Sequence, residues 1–456
     1  MDATLIKALQ LVLSLSILVV LHEGGHFFFS KLFRVKVEKF FLFFDPYFHL
    51  FSTKDKWFTR LFPKCKDNET EYGVGWLPFG GYVKIAGMID ESMDTEQMKQ
   101  PVQPWEFRAK PAWQRLLIMV GGVVMNIVLA VCIYIGISYT WGDNYIASKD
   151  VKYGYVFNDV AKEIGLRDGD KIIDVAGEPV EDCARILQTM IFDQAPYVTV
   201  ERDGTAMRID IPETATAKIL DTKNFMDIRV PFVIAQAAKG GGAAKAGLQP
   251  GDTLIAFNGV GMRYFDEYQQ AFSAHKGEQV NLGIARDSGG VTKIITVPVE
   301  ISNEGLIEAK LVPINELIPI STHRYSFLES IPHGIKRAGT EISSYAKQIK
   351  LIFSPKTEVY KSLGGVLTLG SVFPTYWSWE LFWSITAFFS IVLAIMNILP
   401  IPGLDGGHVL FLLVEVITRR KPSDKFLERA TTVGFILILA LLIYANGNDI
   451  YRFFIK

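Results

Sequence analysis

Four long apolar runs alternate with polar stretches along the chain, near residues 5–28, 113–139, 379–400 and 430–448. Each run is long enough to cross about 30 Å of hydrocarbon as a helix. The first run is longer than the apolar core of an ordinary signal peptide and has no small-residue cleavage site, so we expect it to be retained. The pattern predicts a polytopic α-helical membrane protein with four transmembrane helices, which we assign to residues 1–29, 113–140, 379–417 and 430–449.

Between the first two runs the pattern changes to the alternation typical of strands. The stretch "TEYGVGWLPFGGYVKIAGM" alternates and contains several glycines, which indicates a membrane-associated β-element within residues 30–112. It would consist either of cytoplasmic strands or of a hairpin that re-enters the membrane. Basic residues crowd the loop after the first run and the segment Thr418–Arg429, so both loops are expected in the cytoplasm. The N-terminus, the C-terminus and residues 141–378 would then lie on the other side.

The long segment between the second and third runs contains an internal repeat. "AKEIGLRDGDKIIDVAGEPV" from Ala161 aligns with "AAKAGLQPGDTLIAFNGVGM" from Ala243 at a constant offset of 82 (243 − 161). Glycine-aspartate turns followed by short strands and helices predict two similar α+β modules, at 150–215 and 231–302. Residues 320–356 place apolar positions at helical spacing, and this amphipathic region would either cover a module or lie on the membrane surface.

Composition narrows the possible functions. Hydrophobic residues make up 49% of the 456 residues and the formal net charge is −1, which supports a membrane protein and argues against general nucleic-acid binding. The three cysteines show neither disulfide pairing nor metal-ligand spacing. We therefore expect contact with the lipid bilayer and no nucleic-acid partner.

The strongest chemical signal is "LHEGGHFFF" within the first run. His22 and His26 are four residues apart and share a helical face, and Glu23 can activate a water molecule for a zinc hydrolase. Ionisable residues inside membrane spans are costly and tend to mark functional sites. Gly24 and Gly25 each cost about 1 kcal/mol of helix propensity relative to alanine, and they would let another backbone come close.

A catalytic zinc site usually has three protein ligands and an open fourth position. The third run offers Asp405 and His408 in "IMNILPIPGLDGGHVLFLL". Prolines and glycines break this span, and a broken span is tolerated only where protein or a watery cavity satisfies its backbone. We favour Asp405 as the third ligand, because a buried aspartate here has no other visible cation, and we take His408 as a neighbouring or packing residue.

Three short motifs now resemble one known family. They are HEGGH in the first run, the GxxxN pattern Gly122–Asn126 in the second, and Asn397–Pro400 followed by Leu404–Gly406 in the third. Together they are similar to the signatures of the site-2 protease family of intramembrane zinc metalloproteases. The repeated "GL-x-x-GD" core resembles PDZ domains, and tandem PDZ modules between the second and third spans are typical of the RseP-like bacterial branch.

The resemblance implies roles for individual residues. One zinc ion per chain would be held by His22, His26 and Asp405, and Glu23 would act as general base and then protonate the leaving amine. Asn397 would hydrogen-bond the unwound substrate backbone.

Further residues would have supporting roles by the same resemblance. Gly122, Asn126 and Pro400 would support the site. Gly80 and Gly81 would form a tight turn in a re-entrant β-element that clamps substrate by edge pairing.

The resemblance also implies a function. We expect an endopeptidase of the bacterial inner membrane that cuts transmembrane segments already trimmed by another protease, such as an anti-sigma factor or remnant signal peptides. The modules and both termini would be extracytoplasmic, with the active site toward the cytoplasm. Two alternatives remain from the residues alone: a membrane-anchored PDZ scaffold whose metal site is not catalytic, and a metal or proton transporter.

Overall fold

The computed structural model describes residues 3–88, 100–212, 214–222, 224–352 and 364–451. Parts of the regions assigned above, at residues 1–2, 89–99, 213 and 353–356, lie outside this description. The chain divides into two compact units. One comprises the described residues of 1–142, 324–349 and 363–456, and the other those of 143–323 and 350–362.

The first unit begins with two long helices that flank a β-region. Its elements are α1 (Ala3–Leu32), β1 (Val37–Ser52), α2 (Lys56–Leu61), β2 (Glu71–Ile85) and α3 (Ala112–Thr140).

The second unit follows, and its first half contains β3 (Asp143–Tyr145), β4 (Tyr155–Phe157), α4 (Asp159–Ile164), β5 (Lys171–Val175), β6 (Glu178–Pro179), α5 (Cys183–Phe192), β7 (Tyr197–Arg202), β8 (Thr205–Asp210), α6 (Ala215–Asp221) and β9 (Met226–Ile228). Its second half contains β10 (Ile234–Ala237), α7 (Gly242–Lys245), β11 (Thr253–Phe257), β12 (Val260–Gly261), α8 (Phe265–Ala274), β13 (Gln279–Ser288), β14 (Val291–Glu300), β15 (Ala309–Leu311), α9 (Ile314–Leu317) and β16 (Ser321–His323).

The chain then completes the first unit with α10 (Phe327–Ile352), α11 (Val366–Ser371), α12 (Trp379–Ile398), α13 (Asp405–Thr418) and α14 (Asp424–Ile450). Four helices, α1, α3, α12 and α14, are long and apolar enough to cross a membrane, which confirms the prediction of four apolar spans. The third predicted span is divided, because α12 ends at Ile398 and a separate helix begins at Asp405.

Helix α3 lies at the centre of the first unit and packs against α1, α12 and α13. Small and polar residues line the contacts among these helices. Thr386 Oγ lies 3.0 Å from Ser14 Oγ, and Ser390 Oγ donates a 2.7 Å hydrogen bond to the backbone carbonyl of Asn126. Because lipid tails are as apolar as leucine, close packing and such hydrogen bonds hold helices together in a membrane.

The β-region is built from β1 and β2, and β1 has pairing partners on both sides. Phe41, for example, pairs with Gly73 and with Tyr82. The run Gly81–Ile85 pairs with Val37–Leu42, and the described residues place no second strand beside it. Within the described part of the chain, this run is therefore the outer strand of the sheet.

The structure differs from the tight turn expected at Gly80–Gly81. Both residues lie within β2, and Gly81 already pairs with Leu42. Gly80 has a φ of +148°, and a Cβ atom there would lie 2.7 Å from the ring of Phe44. The two glycines therefore let β2 pass closely over β1, and they do not form the tip of a two-residue hairpin.

The two halves of the second unit share the order strand, helix, two strands, helix, two strands, starting at β4 and at β10. Their four-stranded sheets run β6-β5-β7-β8 and β12-β11-β13-β14. Each half adds a two-stranded pair, β4 with β9 and β10 with β15. These pairs extend the two modules to Ile228 and Leu311, beyond the expected ends at 215 and 302.

The duplicated Gly-Asp turn is held in the same way in both modules. Arg202 donates two 2.7 Å hydrogen bonds to Asp170 and a third, of 2.8 Å, to the carbonyl of Gly165. Arg286 repeats this arrangement with Asp252 and Gly247. A bidentate pair with both acceptor oxygens buried fixes the turn more firmly than a single surface ion pair would.

The amphipathic region forms one helix, α10, although Pro332 lies within it. Ala338 and Ile342 on its apolar face pack with Tyr134 and Ile137 of α3. The sequence alone did not predict this packing against a spanning helix.

Candidate metal centre

Helix α1 continues without interruption through the HEGGH motif, so His22 and His26 lie one turn apart on the same face. Both side chains are buried, and their rings meet edge to face with centroids 4.9 Å apart. Their Nε2 atoms are 3.4 Å apart. The helix therefore presents two ring nitrogens to one point.

Close approach of α3 explains why the motif contains glycine. A Cβ atom on Gly25 would overlap the carbonyl oxygen of Gly121, whereas one on Gly24 would meet nothing within 4 Å. On α3, a Cβ atom on Gly122 would lie 2.6 Å from ring atoms of both His22 and His26. Gly25 and Gly122 thus make room for a neighbouring backbone and for the imidazole rings.

The chain break at 399–404 brings Asp405 to the same place. Gly403 has a φ of +99°, which favours glycine, and a Cβ atom on Gly406 would overlap the carbonyl of Leu399. Pro400 lies in this break, where its missing N–H costs no helical hydrogen bond. The tight loop places Asp405 at the first position of α13, facing the two histidines.

The three donor atoms form a compact triangle. Asp405 Oδ2 lies 3.1 Å from His22 Nε2 and 3.2 Å from His26 Nε2. Two ligands of a tetrahedral zinc ion, each about 2.0–2.2 Å from the metal, are separated by about 3.4 Å. The spacing, the burial and the donor types therefore fit a zinc ion with one coordination position left open.

The hydrogen bonds around the site also leave lone pairs directed at the position of a bound cation. His26 Nδ1 lies 2.8 Å from the carbonyl of Ile118 and must donate to it, which leaves a lone pair on Nε2. Asp405 Oδ2 is buried and accepts no hydrogen bond from the described residues. A carboxylate oxygen that faces a ring-nitrogen lone pair is stabilised when a metal ion lies between them.

The remaining residues singled out from the sequence lie around this triangle. Asn397 Nδ2 is 3.2 Å from His22 Nε2, and Asn126 Nδ2 is 3.2 Å from His22 Nδ1. Glu23, Asn397, Gly81 and His408 line one cavity of about 630 Å³ together with His22, His26 and Asp405. Gly80 does not line it.

Sequence reasoning missed several parts of this cavity. Its wall includes the whole edge run Gly81–Ile85 and two residues of α14, Thr431 and Phe435. Tyr82 donates a 2.9 Å hydrogen bond to Asp45, which also lies 3.7 Å from Lys39 Nζ. Alternation in "GGYVKI" and the family resemblance both pointed to this β-element, but neither identified which of its residues line the cavity.

Comparison with known proteins assigns the chain to a family. The sequence profile of peptidase family M50 matches residues 10–441. The chain belongs to peptidase family M50. Members of M50 depend on zinc, so the chain is an intramembrane zinc metalloprotease with zinc as its cofactor.

Individual relatives agree with this assignment. The chain is 25% identical to the "Regulator of sigma E protease" of Haemophilus influenzae, over 97% of this chain and 98% of that protein. It is 25% identical to a "Putative zinc metalloprotease" of Vibrio cholerae, with 97% of both chains covered. A Neisseria meningitidis protein of the same description is 28% identical over 97% of this chain and 98% of its own length. The M50 assignment favours the protease prediction over the scaffold and transporter alternatives.

Proposed function

We propose that His22, His26 and Asp405 hold the catalytic zinc and that Glu23 is the general base and acid of peptide-bond hydrolysis. One observation carries this proposal: three buried donor atoms, spaced as in a tetrahedral zinc site, lie on the wall of the cavity that Glu23 also lines. Glutamate next to a zinc-binding histidine on one helix is the arrangement that metalloproteases use.

Each residue of the site then has a chemical task. Zinc, when bound, polarises the scissile carbonyl and lowers the pKa of water. Glu23 accepts a proton from the attacking water and delivers it to the leaving amine nitrogen. The burial of the site keeps other water away from the reacting bond, which strengthens these electrostatic interactions.

The substrate would enter as an unwound segment. A transmembrane helix hides its peptide bonds, so the bond that is cut has to leave the helix. The run Gly81–Ile85 lies along the cavity wall, and by the resemblance to the family an extended segment adds to this β-element as a further strand. Asn397, at the end of α12, donates its amide to a substrate carbonyl beside His22.

The location and the modules form a second part of the proposal. The enzyme resides in a bacterial inner membrane, with the zinc site toward the cytoplasm and both termini outside it, as the basic loops indicate. The two repeated modules are extracytoplasmic PDZ domains, and they admit substrates that another protease has already shortened. The duplicated Gly-Asp turns with their arginine partners support a common fold for the pair.

The substrates are transmembrane segments of other proteins. An anti-sigma factor of an envelope stress response is one candidate, and remnant signal peptides are another. The name of the Haemophilus influenzae relative supports the first candidate.

A cleavage assay on purified protein in lipid vesicles tests the catalytic roles. Glu23→Gln should retain about one zinc per chain and lose cleavage of a helical reporter, because the ligands remain while the base is gone. Asp405→Ala should lose both zinc and cleavage. The control Glu69→Gln changes an exposed glutamate of the β-region and should leave both unchanged. Cleavage by Glu23→Gln at the wild-type rate would refute the role of Glu23.

Substrates can be identified with the same variant. Glu23→Gln should hold its partners without cutting them, so crosslinking in cells followed by mass spectrometry should recover single-span proteins. Recovery of the same proteins with Asp405→Ala and no zinc would show that capture does not depend on the site.

A further inference from the structure

The two histidines differ in what their second ring nitrogen contacts. His26 Nδ1 donates to the backbone carbonyl of Ile118 at 2.8 Å, which fixes the proton on Nδ1 and the lone pair on Nε2. Metal-binding histidines almost always have such an acceptor, because it sets both the tautomer and the ring orientation. A single contact from α3 therefore holds His26 in the tautomer that can bind a metal.

His22 has no backbone acceptor of this kind among its hydrogen bonds in the described residues. Its Nδ1 instead lies 3.2 Å from the side-chain amide of Asn126, a residue with no exposed surface. The backbone of Asn126 is held by Ser390, whose hydroxyl donates to its carbonyl at 2.7 Å. The amide thus lies at a fixed point beside the ring.

His22 can bind a metal through Nε2 only if the oxygen end of the Asn126 amide faces its ring. If the NH₂ group faced His22, Nδ1 would have to accept and the proton would move to Nε2, the atom that lies 3.1 Å from Asp405 Oδ2. If the oxygen faces His22, Nδ1 keeps its proton and Nε2 keeps its lone pair. The oxygen and nitrogen of an amide have nearly the same shape, and their assignment follows from the hydrogen bonds they make.

No other hydrogen bond in the described part of the chain opposes the second orientation. Asn126 Oδ1 is buried and has no partner there, so the contact with His22 alone decides which end faces the ring. We infer that Asn126 is a positioning residue whose side-chain oxygen accepts the Nδ1 proton of His22 and holds His22 in the zinc-binding tautomer. This inference rests on the proposed zinc site.

Two substitutions distinguish this role of Asn126 from packing alone and from hydrogen-bond donation. Asn126→Leu keeps the approximate size and removes the acceptor, so zinc should bind about 10- to 100-fold more weakly, as losses of such partners do. Asn126→Asp keeps an acceptor and loses the donor, so zinc affinity should stay within a few-fold of wild type. Zinc affinity is measured by competition with a chelator, and the cobalt(II) absorption spectrum reports the geometry of the loaded site.

A control and a reserve variant make the result decisive. Thr386→Val removes a fully buried polar group elsewhere, a hydroxyl on α12, and should leave zinc affinity unchanged. If Asn126→Asp does not fold, Asn126→Thr supplies an uncharged acceptor, and it should bind zinc more tightly than Asn126→Leu.

Different results would refute different claims. Equal zinc affinity of Asn126→Leu and wild type would assign Asn126 to packing alone and overturn the inference. Equal losses in folded Leu and Asp variants would assign it to donation and overturn it too. If Asp405→Ala binds zinc as tightly as wild type, the proposed zinc site itself is wrong, whatever Asn126 does.

Discussion

Gly25 and Gly121 bring the backbones of α1 and α3 into direct contact beside His22 and His26, because a Cβ atom on Gly25 would overlap the carbonyl oxygen of Gly121. Alanine at position 25 therefore has to push the two helices apart. The neighbouring Gly24 has nothing within 4 Å of its missing Cβ. Two adjacent glycines of the same helix thus have opposite surroundings.

We expect Gly25→Ala to lower the stability of the folded protein by about 1–3 kcal/mol, which is the usual cost of overpacking, and to reduce its zinc content. Gly24→Ala should instead stabilise α1 by up to about 1 kcal/mol through helix propensity. Thermal unfolding in detergent and the zinc-to-protein ratio measure both effects. Equal behaviour of the two variants would contradict the packing argument.

Gly434 of α14 has a similar role at the chain break. A Cβ atom there would overlap the carbonyl oxygen of Pro402, whereas Gly447 of the same helix has nothing within 4 Å. Gly434→Ala should displace α14 from the break and impair cleavage, because Thr431 and Phe435 beside it line the cavity. Gly447→Ala should have no such effect, and a reporter cleavage assay on both variants compares them.

The ion pair of Arg115 and Glu415 joins α3 to the helix that begins with Asp405. Its side chains are only 9% and 15% exposed, and breaking a buried pair on one side costs about 3–5 kcal/mol. Glu415→Gln should therefore lower the unfolding temperature and, by loosening α13, weaken zinc binding.

The double variant Arg115→Met/Glu415→Leu tests the cause. It leaves no unpaired charge, so most of the lost stability should return. The exposed pair Arg208–Asp210 is a surface control, and Asp210→Asn should change stability by less than about 1 kcal/mol. If the double variant is as unstable as Glu415→Gln, an unpaired charge is not the reason.

Acid should weaken the second module through Asp252. Burial favours its neutral form, but hydrogen bonds from Arg286 and from the Gln249 amide outweigh burial and hold the pKa of Asp252 below its usual value. A pKa that is lower in the folded than in the unfolded state stabilises the fold above the unfolded value of about 3.9. This contribution is lost as the pH falls through the folded value.

Hydrogen exchange of β11, corrected for intrinsic rates, measures this effect in the full chain. At pH 6 the wild type should protect β11 better than Asp252→Asn does, and the difference should shrink toward pH 3. Asp210→Asn should show no such difference. If the difference in β11 protection between wild type and Asp252→Asn instead widens as the pH falls, the pKa of Asp252 is not lowered by folding and the prediction is wrong.

Some of these features follow from the sequence and others do not. His22 and His26 could be paired because helical periodicity fixes their face, and Asp405 was indicated because few acidic residues occur in apolar runs. The carbonyl of Ile118 could not be predicted, since a backbone acceptor has no sequence signature. The pairing of Gly81 with Leu42 could not be predicted either, because local alternation does not specify which strands pair.

The arginines of the modules illustrate a further limit. The repeat aligns at an offset of 82, as for Asp170 and Asp252 (252 − 170), but their partners Arg202 and Arg286 are 84 apart (286 − 202). Two extra residues between aspartate and arginine in the second module break the register. Only the folded hairpins bring each arginine back to its aspartate.

The distribution of the three donors along the chain also affects biosynthesis. His22, Glu23 and His26 are made at the start, in α1, whereas Asp405 follows the chain break near the end of the 456 residues. A nascent chain therefore carries Glu23 and two of the three proposed zinc ligands through most of translation without the third. The ribosome finishes the two repeated modules before the proposed zinc centre can form, so on this proposal newly inserted neighbours in the membrane meet only a finished enzyme.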